Sequence, residues 1–258
     1  MGSASREALA HARVSLSGVL EQRAGSDLLF MSAQLESSSA LLATVTDTSV
    51  ESSAKHALLD RIFSGASVGS RRVLWAAVEA RWSNGAELVA GIEELGIRAE
   101  AVTHPDLADD LLGAAAIIES NHDLELALGS KLGDADTKLQ LLNSLFEGKL
   151  SAGALSVVRH LVACPRGRRI NTALRESARV AADQGGSDLA TVTVAAKLSD
   201  EQQQRLSALL AHSAGRPVRV TTVVDPSLVG GVRVQIGDDV IDGSVRSRLE
   251  DLRLQLAG

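Results

Sequence analysis

Residues 225–256 read DPSLVGGVRVQIGDDVIDGSVRSRLEDLRLQL, and this stretch decides how the end of the chain folds. Gly230 and Gly231 follow a turn containing Pro226 and give the backbone freedom where the chain must reverse. Val232, Val234 and Ile236 then alternate with Arg233 and Gln235, the period of a strand with one buried face. A second turn at Gly237, Asp238 and Asp239 returns the chain through Val240 and Ile241. Asp242, Gly243 and Ser244 offer oxygens to cap a helix, whose apolar stripe is Val245, Leu249, Leu252 and Leu256.

Working back toward the N-terminus, Thr191 to Val194 alternates as a strand, and Ser199 to Gln202 has the spacing of a capping box. Leu206, Leu209 and Leu210 form the buried stripe of the helix it opens. Gly215 suits that helix's C-terminal stop, and Pro217 opens a strand carrying Val218, Val220, Thr222 and Val224 on one face. The C-terminal part is therefore expected to be a β-α-β-β-β-α domain.

From Ala4 to Gly186 the period is helical with short breaks. Leu9, Leu16 and Leu20, with Ala12 and Val19, make one stripe. Thr48 to Glu51 reads as a capping box before Leu58, Leu59, Ile62 and Phe63, while Gly65, Gly69, Gly85, Gly96 and Pro105 read as punctuation.

A repeat displaced by 83 residues runs through this region: Asp27, Leu28 and Leu29 recur as Asp110, Leu111 and Leu112. Lys55, Leu58, Leu59, Phe63 and Gly65 recur as Lys138, Leu141, Leu142, Phe146 and Gly148. Matching core positions and glycines in register imply one helical unit written twice, and two copies are too few for a solenoid. The expected organisation is mainly α with a small α+β C-terminal domain: a helical bundle over 1–104, its duplicated unit over 105–186, and the α+β domain over 187–258.

Bulk properties narrow the function. A chain of 258 residues with 45% hydrophobic side chains can furnish real cores, and with 2% aromatics and no tyrosine those cores must be aliphatic, which favours helices. A net charge of −6 argues against a general nucleic-acid coat. One cysteine, Cys164, allows no intrachain disulfide and no cysteine-based zinc cluster, and fits a reducing compartment. No run approaches the roughly 20 apolar residues of a membrane span.

The same residues show no catalytic pattern. His11, His56, His104, His122, His160 and His212 are scattered without metal-ligand spacing and read as surface or helix-end histidines. Cys164, followed by Pro165, reads as a small hydrophobe rather than a nucleophile, and no phosphate-binding glycine loop occurs. No catalytic residue, cofactor or metal is expected. Arg159, Arg166, Arg168, Arg169, Arg175 and Arg179 form a local basic cluster with two readings. One is a docking patch for acidic helices or nucleic acid; the other is a solvated helix face balancing an acidic chain.

The C-terminal stretch resembles the delta subunit of bacterial F-type ATP synthase, the oligomycin sensitivity conferral protein family of mitochondria. The likeness lies in the proline, the Gly230–Gly231 pair, the alternating strand and the Ile241-Asp242-Gly243-Ser244-Val245 helix start. An ordinary delta subunit carries one helical unit, so the duplication resembles the extended actinobacterial form, and the free-standing version rather than a fusion behind a stator b segment is expected.

The resemblance implies a non-catalytic peripheral-stalk subunit that ties the catalytic head to subunit b and resists rotor torque. It would sit in one copy per complex at the cytoplasmic face of the plasma membrane, reaching the membrane only through the complex. It implies a bundle groove for the N-terminal helices of alpha subunits and a C-terminal domain for the end of b, with no nucleic acid. The candidates for the groove are Leu9, Leu16 and Leu20 with Leu88, Ile92 and Leu95. For the b side they are Gly230, Gly231, Val232, Val234, Ile236, Asp242, Gly243, Ser244, Leu249 and Leu252.

Overall fold

The computed structural model describes residues 1–18, 20–129, 134–236 and 239–245. The chain divides into two compact units, Met1–Ala181 and Ala182–Gly258. The first holds α1 (Ser3–Arg13), a 3-10 turn (Val14–Ser17), α2 (Ala24–Ser37), α3 (Ser39–Thr46), α4 (Ser52–Ile62), α5 (Val68–Glu79) and α6 (Gly85–Thr103). It continues with α7 (Leu107–Glu119), α8 (His122–Gly129), α9 (Ala135–Phe146) and α10 (Ala152–Ala163), and α11 (Ile170–Gln184) crosses the division.

Side-chain caps start many of these helices, satisfying backbone N–H groups that have no partner in a first turn. Ser38, Ser67, Asn84, Asp134 and Ser151 each accept from the backbone N–H three residues on. The box expected at Thr48–Glu51 does not form. Asp47 takes the Ser49 N–H at 2.8 Å and its hydroxyl at 2.7 Å instead, and α4 begins only at Ser52. A local Asx turn has outcompeted the cap.

Gly69 and Gly96 differ from expectation in the same way: both lie inside helices and end nothing. A Cβ on Gly96 would meet Leu29 Cδ2 at 3.0 Å, and one on Gly25 would meet the Glu100 backbone nitrogen at 2.7 Å. These glycines serve close approach of the antiparallel pair α2 and α6 rather than a break.

The repeat is real in three dimensions. The Asp27 carboxylate accepts the N–H of Ser67, the cap of α5, at 2.7 Å, and its counterpart Asp110 accepts the N–H of Ser151, the cap of α10, at 3.0 Å. After one extra residue between Gly148 and Ser151, which makes the displacement 84, buried Val73, Leu74, Ala77 and Val78 on α5 correspond to buried Val157, Val158, Leu161 and Val162 on α10. Helix α6 belongs to both copies. It closes the first, and its buried Leu88, Gly91, Leu95 and Ala99 also stand where Ser5, Ala8, Ala12 and Leu16 of α1 stand in the first copy. This double duty explains why so much of α6 is buried.

The second unit is a four-stranded sheet of order β2-β1-β3-β4, from β1 (Asp188–Val194), β2 (Val218–Val224), β3 (Val232–Ile236) and β4 (Asp239–Asp242). The parallel pair β1 and β2 needs a crossover, supplied by α12 (Asp200–Ala214), while β3 pairs antiparallel with both β1 and β4. The expected capping box at Ser199 and Gln202 forms, and Gly215 ends α12 with φ +70°. Ala190, Val192 and Val194 pack with Leu210, Val218 and Val234 to make the core. Leu209, read as buried, is exposed, because α12 turns only a narrow stripe toward the sheet. The helix expected after Ser244, with Leu249, Leu252 and Leu256, lies outside the described residues.

Candidate partner-binding surfaces

In the helical unit, the residues read as groove lining are mostly core. Leu16, Leu88, Ile92 and Leu95 are at most 3% exposed, while Leu9 and Leu20 are half-buried against the same cluster. Burying a stripe between helices and lining a groove leave the same periodic mark in sequence, and here packing claims it.

The open surface lies one face away. Ala10, Arg13, Val14 and Ser17 are all exposed, and their spacing places them on a single side of α1 and its 3-10 extension. Val14 is 69% exposed. Beside them Arg72 of α5 reaches the Ser15 carbonyl at 3.4 Å and bridges the two elements. On an adjoining side of α1, toward its N-terminal end, a cavity of about 610 Å³ opens between Ala4, Ala8 and His11 and the Ala80–Ser83 segment after α5. Hydrophobic periodicity does not mark this face, since Val14 stands there among Ala10, Arg13 and Ser17. The repeat offered a signal, since the four positions correspond to Glu93, Gly96, Ile97 and Glu100 of α6, all buried.

The arginine cluster is largely consumed inside the chain. Glu93 is 3% exposed and meets His160 Nε2 at 2.8 Å, the Arg168 guanidinium at 2.9 Å, and Arg166. Arg159 donates to Asn143 Oδ1 at 2.8 Å, and Arg175 donates to Glu119 at 2.6 Å. Burial alone would push the Glu93 pKa up, but the His160 hydrogen bond and the Arg166 and Arg168 charges outweigh it and hold it below the usual range. Arg166 adopts φ +45°, a left-handed conformation costly for a side chain that bears a Cβ, and its ion pair with Glu93 fixes it there. Four of the six arginines are thus engaged within the chain, while Arg169 and Arg179 are exposed. His160, read as a surface or helix-end residue, does lie in the last turn of α10 but is buried there, against a partner 67 positions away in sequence.

Burial, with Glu36 and Glu93 nearby, pushes the Cys164 thiol up, away from the thiolate a nucleophile needs. Among the described residues no group of three metal-ligating side chains converges, and no single helix is long and apolar enough to cross a membrane.

In the C-terminal unit the quoted motif closes on itself. Gly230 and Gly231 have φ +153° and +82°, and the Gly243 N–H donates to the Val232 carbonyl at 2.9 Å while the Val245 N–H donates to that of Gly230 at 3.0 Å. Two backbone segments thus touch directly. A Cβ on Gly231 would come within 2.8 Å of Ser244 Cα and closer still to the Gly243 oxygen. Val234 is buried and Val232 and Ile236 pack against the same core, so the strand residues serve folding first. Asp242 pairs with Arg233 across the hairpin at 2.8 Å and accepts the Ser244 N–H at 3.0 Å. What faces outward instead is Val229, 81% exposed, with Val240 and Ile241 on the edge strand β4. Leu249 and Leu252 lie outside the described residues.

The hydrogen bonds from Ser244, with the Arg233 contact, lower the Asp242 pKa from 3.8 to about 2. The folded value lies below the unfolded one, so this group stabilises the C-terminal unit above pH 3.8 and loses that contribution as pH falls through about 2. We expect Asp242→Asn to flatten the acid limb of the unit's pH–stability curve between those values. An unchanged curve for the variant refutes the assignment.

The family description "ATP synthase delta (OSCP) subunit" matches residues 98–256. Proteins named ATP synthase subunit delta are 42% identical in Leifsonia xyli, over the whole of both chains, and 35% in Streptomyces avermitilis, over 98% of each. The chain belongs to the ATP synthase delta (OSCP) family. A third relative of that name, from Nocardia farcinica, is 36% identical over both full lengths. As a family member the chain is a peripheral-stalk subunit of F-type ATP synthase, associated with the membrane complex. Full-length agreement with actinobacterial relatives extends the likeness across both helical copies, beyond the C-terminal motif.

Proposed function

We propose that this delta-family chain clamps the static parts of the stalk through two surfaces on separate units. The helical unit takes the amphipathic N-terminal helix of an alpha subunit, and the C-terminal unit takes the end of subunit b. It does so in one copy per complex, on the cytoplasmic face, with no chemistry of its own. The observation that carries the helical half is the uncovered face Ala10, Arg13, Val14 and Ser17 beside α5. An apolar strip at i, i+3, i+4 and i+7 on a partner helix fits such a channel between two bundle helices. For b, the support is the exposed apolar side chains of Val240 and Ile241 on the edge strand β4, with Val229 in the segment before β3.

Mechanically, rotor torque yields ATP only when the head is held still, so the clamp must bind both partners and deform little. The glycine-mediated contact of α2 with α6 and the Glu93 ion network stiffen the first unit. Calorimetric titration of the intact chain with an alpha N-terminal peptide and a b C-terminal peptide tests the reading. We expect each to bind, with Val14→Glu weakening the first alone and Ile241→Lys the second alone, each by about tenfold or more. Loss of both affinities in either variant, or of neither, refutes the division of labour.

A further inference from the structure

The duplication offers two versions of the face just described, and they are not equally available. On α1 the positions Ala10, Arg13, Val14 and Ser17 are exposed, whereas their counterparts Glu93, Gly96, Ile97 and Glu100 on α6 are all buried. Val14 is 69% exposed and Ile97 is 3% exposed. The cover is α2, which packs against both α6 and α10, the pair corresponding to α1 and α5. Leu29 lies on Gly96, and Gly25 lies on Glu100, whose carboxylate also faces Gly153 of α10. Leu29 is 2% exposed, while its own repeat counterpart Leu112 on α7 is half-buried.

We infer that α2 permanently fills the second copy's helix-accepting face, so that the duplicated chain presents one such face and not two, and that α2 is the template for the helix the first copy takes. The α2 helix runs antiparallel to α6, since Gly25 meets Glu100 while Leu29 meets Gly96. A helix seated in the same way on the first copy runs antiparallel to α1, with its N-terminal end over Ser17 and its C-terminal end toward the Ala4 end of the cavity. It carries a small residue near Ser17 and a leucine one turn later, the pattern of Gly25 and Leu29. The second copy therefore serves as a brace for the first, with no second docking site.

The identity of the docking helix rests on the reading above; the closure by α2 does not. The test uses the full chain in two arms. In the first, amide hydrogen exchange of the free protein should show α2 and α10 amides opening only with global unfolding of the helical unit. Exchange of α2 through local opening overturns the closure whether or not any peptide binds. In the second, an alpha N-terminal peptide with a spin label at its N-terminal end is titrated into the chain. We expect saturation at one peptide per chain, slowed exchange on α1 and α5 but not on α10, and stronger broadening of Val14 and Ser17 than of Ala4 and Glu7. Two peptides per chain or new protection on α10 overturns the closure. Broadening at the Ala4 end overturns the orientation. Absence of peptide binding overturns the alpha-helix reading and with it the template claim, while the exchange arm still decides the closure.

Discussion

Gly231→Ala should destabilise the C-terminal unit by roughly 2–5 kcal/mol, a large effect for one methyl group. Two costs combine. The backbone at φ +82° is one an L-residue adopts with strain, and the added Cβ meets backbone atoms of Gly243 and Ser244, which cannot rotate away. Moving them would break the Gly243 to Val232 and Val245 to Gly230 hydrogen bonds that tie the segment after β4 to the start of β3. Gly215→Ala is the matched control, with a similar φ of +70° and nothing near its Cβ direction, and should cost about 1 kcal/mol. Urea titrations read through methyl signals of Val192 and Val234 report this unit alone. Equal midpoints for the two variants would show that the Gly230–Gly231 pair is retained for a partner and not for the fold.

Glu93→Ala should destabilise the helical unit by about 3–5 kcal/mol. The carboxylate, only 3% exposed, is the common partner of His160, Arg166 and Arg168, and its removal leaves two partly buried guanidinium groups facing each other, with Glu176 at 3.8 Å from Arg168 as a weak substitute. It also frees Arg166 from the contact that fixes its left-handed backbone. Glu176→Ala, which loses only a 3.8 Å contact between Arg168 and a half-exposed carboxylate, should change stability by less than about 1 kcal/mol. Since the Glu93 pKa is held below its usual 4.5, its contribution is complete above that value and fades only as pH drops through the lower folded one. Thermal melts of both variants at neutral pH decide the matter, and a Glu93→Ala melting point within a degree or two of the parent would refute the network's role.

Much of the architecture was readable because it is written locally. The alternation of Val232, Val234 and Ile236, the capping box at Ser199 and the stop at Gly215 each specify an element within a few residues. The misreadings share a cause. Thr48 to Glu51 had the right spacing for a cap, but Asp47, one residue upstream, took the backbone first. Gly96 looked like a break because sequence cannot distinguish a glycine that ends a helix from one that admits Leu29.

For the binding surfaces the division is sharper. Composition, the helical period, the repeat and the C-terminal motif by themselves determined a helical unit written twice, a small α+β unit, and membership of a stalk-subunit family. Which leucine stripe is core and which face is open was decided only when the helices packed. Periodicity records that a face is buried but not what buries it, and the pairings of Glu93 with His160 and of α2 with α10 join positions far apart in the chain. Two copies of one sequence pattern thus acquired different surfaces, because α6 is enclosed on its second face by α2 while the corresponding residues of α1 are exposed.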